Sequence, residues 1–128
     1  MKQMSYFTQA AEKGMIELLQ NMMKAGTKVN KQDPNGATAL LMATQGGQTE
    51  TVRFLLKAGA DPNLTAEGNT TCLMLAANDG NAEMVSLLLA HKANVNARGA
   101  NGATPMAFAA ANGHTNIVEM ITKAGAQR

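Results

Sequence analysis

An all-α solenoid of stacked helix-turn-helix units, joined by β-hairpin-like loops, is the fold class this sequence predicts, on three observations. Gly14, Gly47, Gly80 and Gly113 stand 33 residues apart, and the same step carries Ala10 onto Ala43, Ala76 and Ala109. Apolar columns keep that register, as Phe7, Leu40, Leu73 and Met106, as Leu19, Val52, Val85 and Val118, and as Met22, Leu55, Leu88 and Ile121. Asn30, Asn63 and Asn96 align as well. A fixed period of this length marks supersecondary units that bury their apolar faces against their neighbours, and such arrays act by recognition over an extended surface. The register divides residues 1–128 into a single domain of four units, 1–32, 33–65, 66–98 and 99–128.

Each unit reads as two short helices. Thr38, Thr71 and Thr104, with Ser5 in the same column, precede apolar runs, where a threonine hydroxyl accepts from the orphan amides of a first helical turn. Pro105 follows Thr104 at the first helical position, where a missing N–H is harmless and a fixed φ is already helical. The first helix ends near the periodic glycine, which adopts the left-handed conformation that stops a helix. A second helix starts just beyond it. Glu17, Glu50 and Glu83 fall in its first turn and Lys24, Lys57 and Lys123 in its last, complementing the helix dipole. Val52, Leu55 and Leu56, repeated as Val85, Leu88 and Leu89, recur at i, i+3 and i+4 and define its buried face. Thr122 replaces the leucine in the last unit, as suits an outer side without a neighbour.

Composition narrows the class. At 45% hydrophobic and 16% charged the chain suits one compact domain. Aromatics make up only 3%, so the apolar mass is carried by Ala, Leu and 10 Met, small or flexible side chains suited to closely stacked helices. No apolar run approaches the roughly 18 residues of a membrane span. The N-terminal Met-Lys-Gln-Met-Ser-Tyr lacks the apolar stretch of a secretory signal, and the single Cys72 excludes an internal disulfide. A cytoplasmic protein is expected, with nuclear residence the variant.

The threonine columns continue as Thr38-Ala-Leu-Leu-Met-Ala43, Thr71-Cys-Leu-Met-Leu-Ala76 and Thr104-Pro-Met-Ala-Phe-Ala109. The second-helix ends read Leu55-Leu-Lys-Ala-Gly-Ala-Asp-Pro-Asn63 and Leu88-Leu-Ala-His-Lys-Ala-Asn-Val-Asn96, and Gly113-His114 forms a glycine-histidine pair. These segments resemble the ankyrin repeat, a 33-residue unit of a β-turn and two helices with a T-P-L-H-x-A signature. The resemblance spans residues 5 to 126, with three good units and a degenerate first one, Ser5-Tyr-Phe-Thr-Gln-Ala10.

The chain also departs from that pattern. Leu41, Met74 and Ala107 occupy the signature histidine position, and only Pro105 keeps the proline. Asn69 aligns with the turn glycines Gly36 and Gly102, directly after Gly68. Lys92 replaces the helix-ending glycine found at Gly26, Gly59 and Gly125, where a left-handed residue with a Cβ costs ~1 kcal/mol. The third unit is therefore expected to have the least regular second-helix end.

Catalytic residue sets are missing from the pattern. Cys72 falls at the proline column inside an apolar stretch, the setting of an inert buried thiol. His91 and His114 are 23 residues apart, without a cysteine or acid at metal-ligand spacing. Glu17, Glu50, Glu83 and Glu119 occupy solvated helix positions, so no enzyme, metal, cofactor or small-molecule substrate is expected. A formal charge of +2 with scattered basic residues argues against nucleic acid. Gly99-Ala-Asn-Gly102 lacks the lysine and spacing of a phosphate loop.

The resemblance implies a monomeric module that binds another protein along a concave face of hairpin tips and first helices. Carried onto this chain, that face comprises Glu12 and Lys13; Pro34, Asn35, Ala37, Gln45 and Gly46; Glu67, Gly68, Thr70, Asn78 and Asp79; and Ala100, Asn101, Ala103, Ala111 and Asn112. A regulatory inhibitor covering an enzyme's active site is one variant of this role, and an engineered or reconstructed scaffold without a native partner is an alternative. The resemblance further implies Asn96, and less well Asn63, as a substrate of asparagine hydroxylation. The first unit, with Met1, Met4, Met15, Met22 and Met23, is a competing surface or a soft hydrophobic cap.

Overall fold

In the computed structural model, which describes residues 4–126, the chain forms four antiparallel helix pairs. They are α1 (Tyr6–Glu12) with α2 (Ile16–Lys24), α3 (Ala39–Gln45) with α4 (Thr49–Lys57), α5 (Cys72–Asp79) with α6 (Ala82–Ala90), and α7 (Pro105–Ala111) with α8 (Thr115–Lys123). The first helices stack in one layer, α1 on α3, α3 on α5 and α5 on α7. Behind them α4 packs on α6 and α6 on α8, whereas α2 rests chiefly on α1.

The helices start where the sequence places their caps. Thr38, Thr71 and Thr104 accept from the amides of Leu41, Met74 and Ala107 at 3.1, 3.2 and 3.2 Å. Ser5 does the same for Thr8 at 3.3 Å. Each such bond satisfies one amide that the helix itself leaves unpaired.

The turn within each pair depends on its glycine. Gly14, Gly47, Gly80 and Gly113 have φ between +70° and +75°. That geometry lets the following amide reach back across the helix end: Met15 N–H to Ala10 O, Gln48 to Ala43 and His114 to Ala109, each at 2.9 Å, and Asn81 to Ala76 at 3.2 Å. The acceptors are the alanines of the periodic column, so in every repeat one hydrogen bond ties the residue after the periodic glycine to the periodic alanine.

Lys92 has φ +68°, left-handed as the alignment requires. The end of α6 is the least regular of the four second helices, as expected: its cap His91 lies at φ −102° and ψ 23°, where Ala25, Ala58 and Ala124 lie at φ −80° to −82° and ψ −1° to 1°. The closing bonds are kept all the same, Ala93 N–H donating to Leu88 O at 3.0 Å and Lys92 N–H to Leu89 O at 3.1 Å, matching Ala60 to Leu55 and Gly59 to Leu56. The Asn63 amide nitrogen adds a bond to Lys92 O at 3.1 Å. Three hydrogen bonds hold the strained residue in place, so the irregularity is confined to the cap.

The core lies between and within the pairs. Leu19, Val52, Leu55, Val85, Leu88 and Ile121 are fully buried. Leu56 is buried while Leu89 and Thr122, in the same column, are half-buried, and Thr122 donates its hydroxyl to Val118 O at 2.7 Å. Burial thus declines along that column toward the last pair. Leu88→Ala is expected to cost about 2–5 kcal/mol, since the neighbouring helices collapse only partly into the vacated space. Leu89→Ala is expected to cost clearly less, and denaturant melts of the two variants side by side check both.

Candidate hairpin-tip and first-helix surface

The loops between pairs are tight turns. Asp33, Ala66 and Gly99 donate their amides to Ala37 O, Thr70 O and Ala103 O at 2.8, 3.2 and 2.9 Å. Among the described residues the hairpins reach strand-like pairing only at one isolated bridge, Ala66 with Thr70. Asn35 and Asn101 brace the first and third turns, accepting from the amides of Ala37 and Ala103 at 3.1 and 3.4 Å. The middle turn uses Gly68 at φ +75° and Asn69 at +56°, as the aligned residues suggested.

Successive tips are bonded to each other. Glu67 N–H donates to Asn35 O at 3.2 Å, and Ala100 N–H to Gly68 O at 2.8 Å. The three turns therefore form a continuous rim whose spacing is set by the backbone. On the opposite side of the loops the aligned asparagines clasp the next pair. Asn30 accepts from Asp61 N–H at 2.8 Å and Asn63 from Asn94 N–H at 2.7 Å. Asn63, one of the two hydroxylation candidates, is thus held at both ends of its amide, while Asn96 is exposed and its N–H donates to Asn94 at 3.0 Å.

The rim and the helix ends beside it carry most of the residues assigned to the binding face. Lys13, Pro34, Gln45, Gly46, Glu67, Gly68, Asn78, Asp79, Ala100, Asn101, Ala111 and Asn112 are exposed, and Glu12, Asn35, Thr70 and Ala103 are half-buried. Ala37 is the correction, because its methyl group lies in the core with 3% of its surface exposed. Its neighbours in the turn require that, since Ala37 closes the loop through both its N–H and its carbonyl. Gly46 is exposed on one side only. A Cβ there would run into the Glu12 backbone carbonyl, so this glycine is where α1 and α3 come closest. Asn112 donates to Asn78 Oδ1 at 2.8 Å, which links two further positions across neighbouring pairs.

Two polar side chains hold this surface, the histidine of the glycine-histidine pair and a glutamine that the repeat pattern did not single out. Gln48, in the column of His114, donates its side-chain amide to Glu12 O at 3.2 Å, and His114 Nε2 lies 3.1 Å from Asn78 O. Glutamine substitutes for histidine because both reach the last carbonyls of the preceding first helix. The spacing of Gln48 from His114, two repeats or 66 residues, was the available signal. Asp33 is buried, accepting from the Thr8 hydroxyl at 2.7 Å and the Ser5 amide at 3.3 Å, and so fastens the start of α1 to the first turn.

Cys72 is buried at the start of α5. Burial pushes its thiol up to about 12, against a hydrogen bond with Thr44 that favours the thiolate. A thiol so poised is neither a nucleophile nor a metal ligand at neutral pH. Among the described residues no three His, Cys, Asp or Glu side chains converge as a metal site, and no helix is long and apolar enough to cross a membrane.

Native Cys72 is expected to resist a disulfide reagent at neutral pH and to react on unfolding. Its raised folded value means that the unfolded chain releases the proton first. Stability from this group is full below pH 9 and falls as pH rises from there toward 12. Cys72→Ala, with Ala39 as precedent in the column, should flatten that alkaline decline in paired melts. Gly46→Ala is expected to lower stability by about 1–3 kcal/mol through backbone displacement, measured the same way.

A search of curated proteins finds no match to the chain. A family model described as ankyrin repeats (3 copies) matches residues 7–98 and, overlapping that span, residues 56–127. With the helix pairs, capped threonines and bonded tips, these matches covering nearly the whole sequence show that the chain belongs to the ankyrin-repeat family.

Proposed function

We propose that residues 1–128 form a single non-enzymatic domain, with repeats near 1–32, 33–65, 66–98 and 99–128, that binds a partner protein through the hairpin rim and the adjoining ends of the first helices. Ankyrin repeats are in general protein-protein interaction modules. The observation that carries the reading for this chain is the rim itself, in which Asn35, Glu67, Gly68 and Ala100 are joined by backbone hydrogen bonds from one repeat to the next. A surface held in this way loses little conformational entropy on association, so modest contacts suffice for binding.

The side chains on offer are small and polar, with Glu67 and Asp79 as exposed acids and Lys13 as the exposed base. Trp, Tyr and Arg anchors of the kind that dominate interfaces are lacking on this strip. The partner therefore supplies them, with arginines to meet the acids and aromatic rings to cover the alanines. The protein acts as a monomer that presents a preformed surface.

Gln45→Arg, Asp79→Arg and Ala111→Arg together test this reading, because all three positions are exposed and none braces a turn. A partner captured from native-cell lysate by the wild type is expected to be lost by the variant, with helical content and melting unchanged. Retention of the partner by the folded variant would remove the rim as the binding site.

A further inference from the structure

The outer face of the first helix pair is the one large apolar surface left uncovered among the described residues. Tyr6, Met15 and Leu18 are 80%, 47% and 39% exposed, the only large hydrophobic side chains in that state among the described residues. They line two grooves along α1 that share Tyr6, Gln9 and Met22 as a common wall. Elsewhere in the stack the same columns are sealed. Leu18 corresponds to Thr51, Met84 and Ile117, at 2% exposure or less, and Tyr6 to Ala39, Cys72 and Pro105, all buried. The face is thus a continuation of the surface on which each later pair receives its neighbour. A stack end kept soluble by its own sequence presents polar residues there; this one presents a tyrosine, a methionine and a leucine.

Charge identifies what covers it. Residues 1–32 hold Lys2, Lys13, Lys24, Lys28 and Lys31 against Glu12 and Glu17, a formal +3 in a chain whose total is +2. Lys31 lines the groove at the start of α1 and Lys13 the groove at its end. Among the described residues neither lysine belongs to an ion pair. The seven residues of α1 span about 10 Å, or two helical turns, between the ends beside which these two grooves lie. Glu17 borders the far side of the face, beside Met15 and Leu18.

A second copy of the chain does not fit. Stacked head to tail, the copy would bring Glu119 onto Glu17 at the step where Arg53 meets Glu83 at 2.8 Å. The Met15 side chain would face the copy's equivalent of the preceding-repeat carbonyls that Gln48 and His114 reach, and it has no N–H to give. Docked face to face, the two copies would oppose their lysines.

We propose that this face is a second docking site, for an amphipathic helix of a different protein that lies along α1 as α1 lies along α3. Its apolar stripe covers Tyr6, Met15, Leu18 and Met22, and acidic residues about two turns apart meet Lys13 and Lys31. The site meets the rim-and-first-helix face at Lys13, which both surfaces include, and is otherwise built from different residues.

Two matched sets of synthetic amphipathic helices of about 18 residues test the site by fluorescence anisotropy, one with Glu at both ends of a Leu stripe and one with Lys. The Glu set is expected to bind and the Lys set not, and added salt should weaken the binding. Leu18→Glu should weaken it roughly tenfold or more, as loss of a central anchor does. Lys13→Glu with Lys31→Glu should reverse the preference toward the Lys set. Circular dichroism and melting check that these exposed substitutions leave the fold intact, and the Gln45→Arg, Asp79→Arg, Ala111→Arg variant should bind the Glu set as the wild type does. The proposal is overturned by equal binding of both sets, by no binding of either, or by Glu-set binding that survives Leu18→Glu. Self-association in sedimentation that Leu18→Glu abolishes would overturn it too, by assigning the face to a second copy.

Discussion

The closeness with which the first helices stack governs most of what is seen in this molecule. Ala10, Ala43, Ala76 and Ala109 put no more than a methyl group at one position of every first helix, and all four are buried. Gly46 goes further and leaves no side chain where α3 meets the end of α1. Backbones that approach this closely bring the turns between pairs into hydrogen-bonding range, which is why Glu67 reaches Asn35 and Ala100 reaches Gly68. The same approach lets a side chain as short as Gln48 span from one repeat to the carbonyls of the one before. Large side chains between the first helices would separate them and break these polar links together.

Polar joints of three kinds supplement the apolar packing. The tips are joined backbone to backbone, the asparagine column clasps the following loop, and Gln48 and His114 bind the preceding helix end. Arg53 adds an exposed ion pair with Glu83 and a second with Glu50 at 3.3 Å, worth little in water at such exposure. What these joints contribute is register more than cohesion. Apolar faces slide past one another at small cost, whereas a carbonyl and an amide meet in one alignment.

Much of this was legible in the sequence because the repeat presents each position several times. The threonine caps, the left-handed glycines and the buried leucine columns were readable from periodicity, since each follows from local backbone chemistry. Positions where one repeat departs from the rest were harder. Ala37 was placed on the binding face because its column borders the turn, but the turn folds that residue inward. Asp33 read only as the start of the second unit and is a buried acceptor, its role fixed by Ser5 and Thr8 from far along the chain. Lys92 read as a site of irregularity and is one, but the bond from Asn63 that steadies it belongs to the preceding repeat and is invisible from the lysine's own surroundings. Met1 lies outside the described residues. The exposure of Tyr6 and Leu18 needed the structure, because a composition shift in a degenerate repeat does not say which side it faces.

Among the described residues, extensive helix packing runs only between adjacent helix pairs or within one pair. Such a molecule behaves under tension as a series of links and not as a single knot. Pulled from its two ends, it would give way one pair at a time. Each released repeat of 33 residues would lengthen the chain by about 110 Å, and the remaining pairs would keep their form. Anything docked on the outer face of the first pair would add one more link, and would decide from which end the series begins to open.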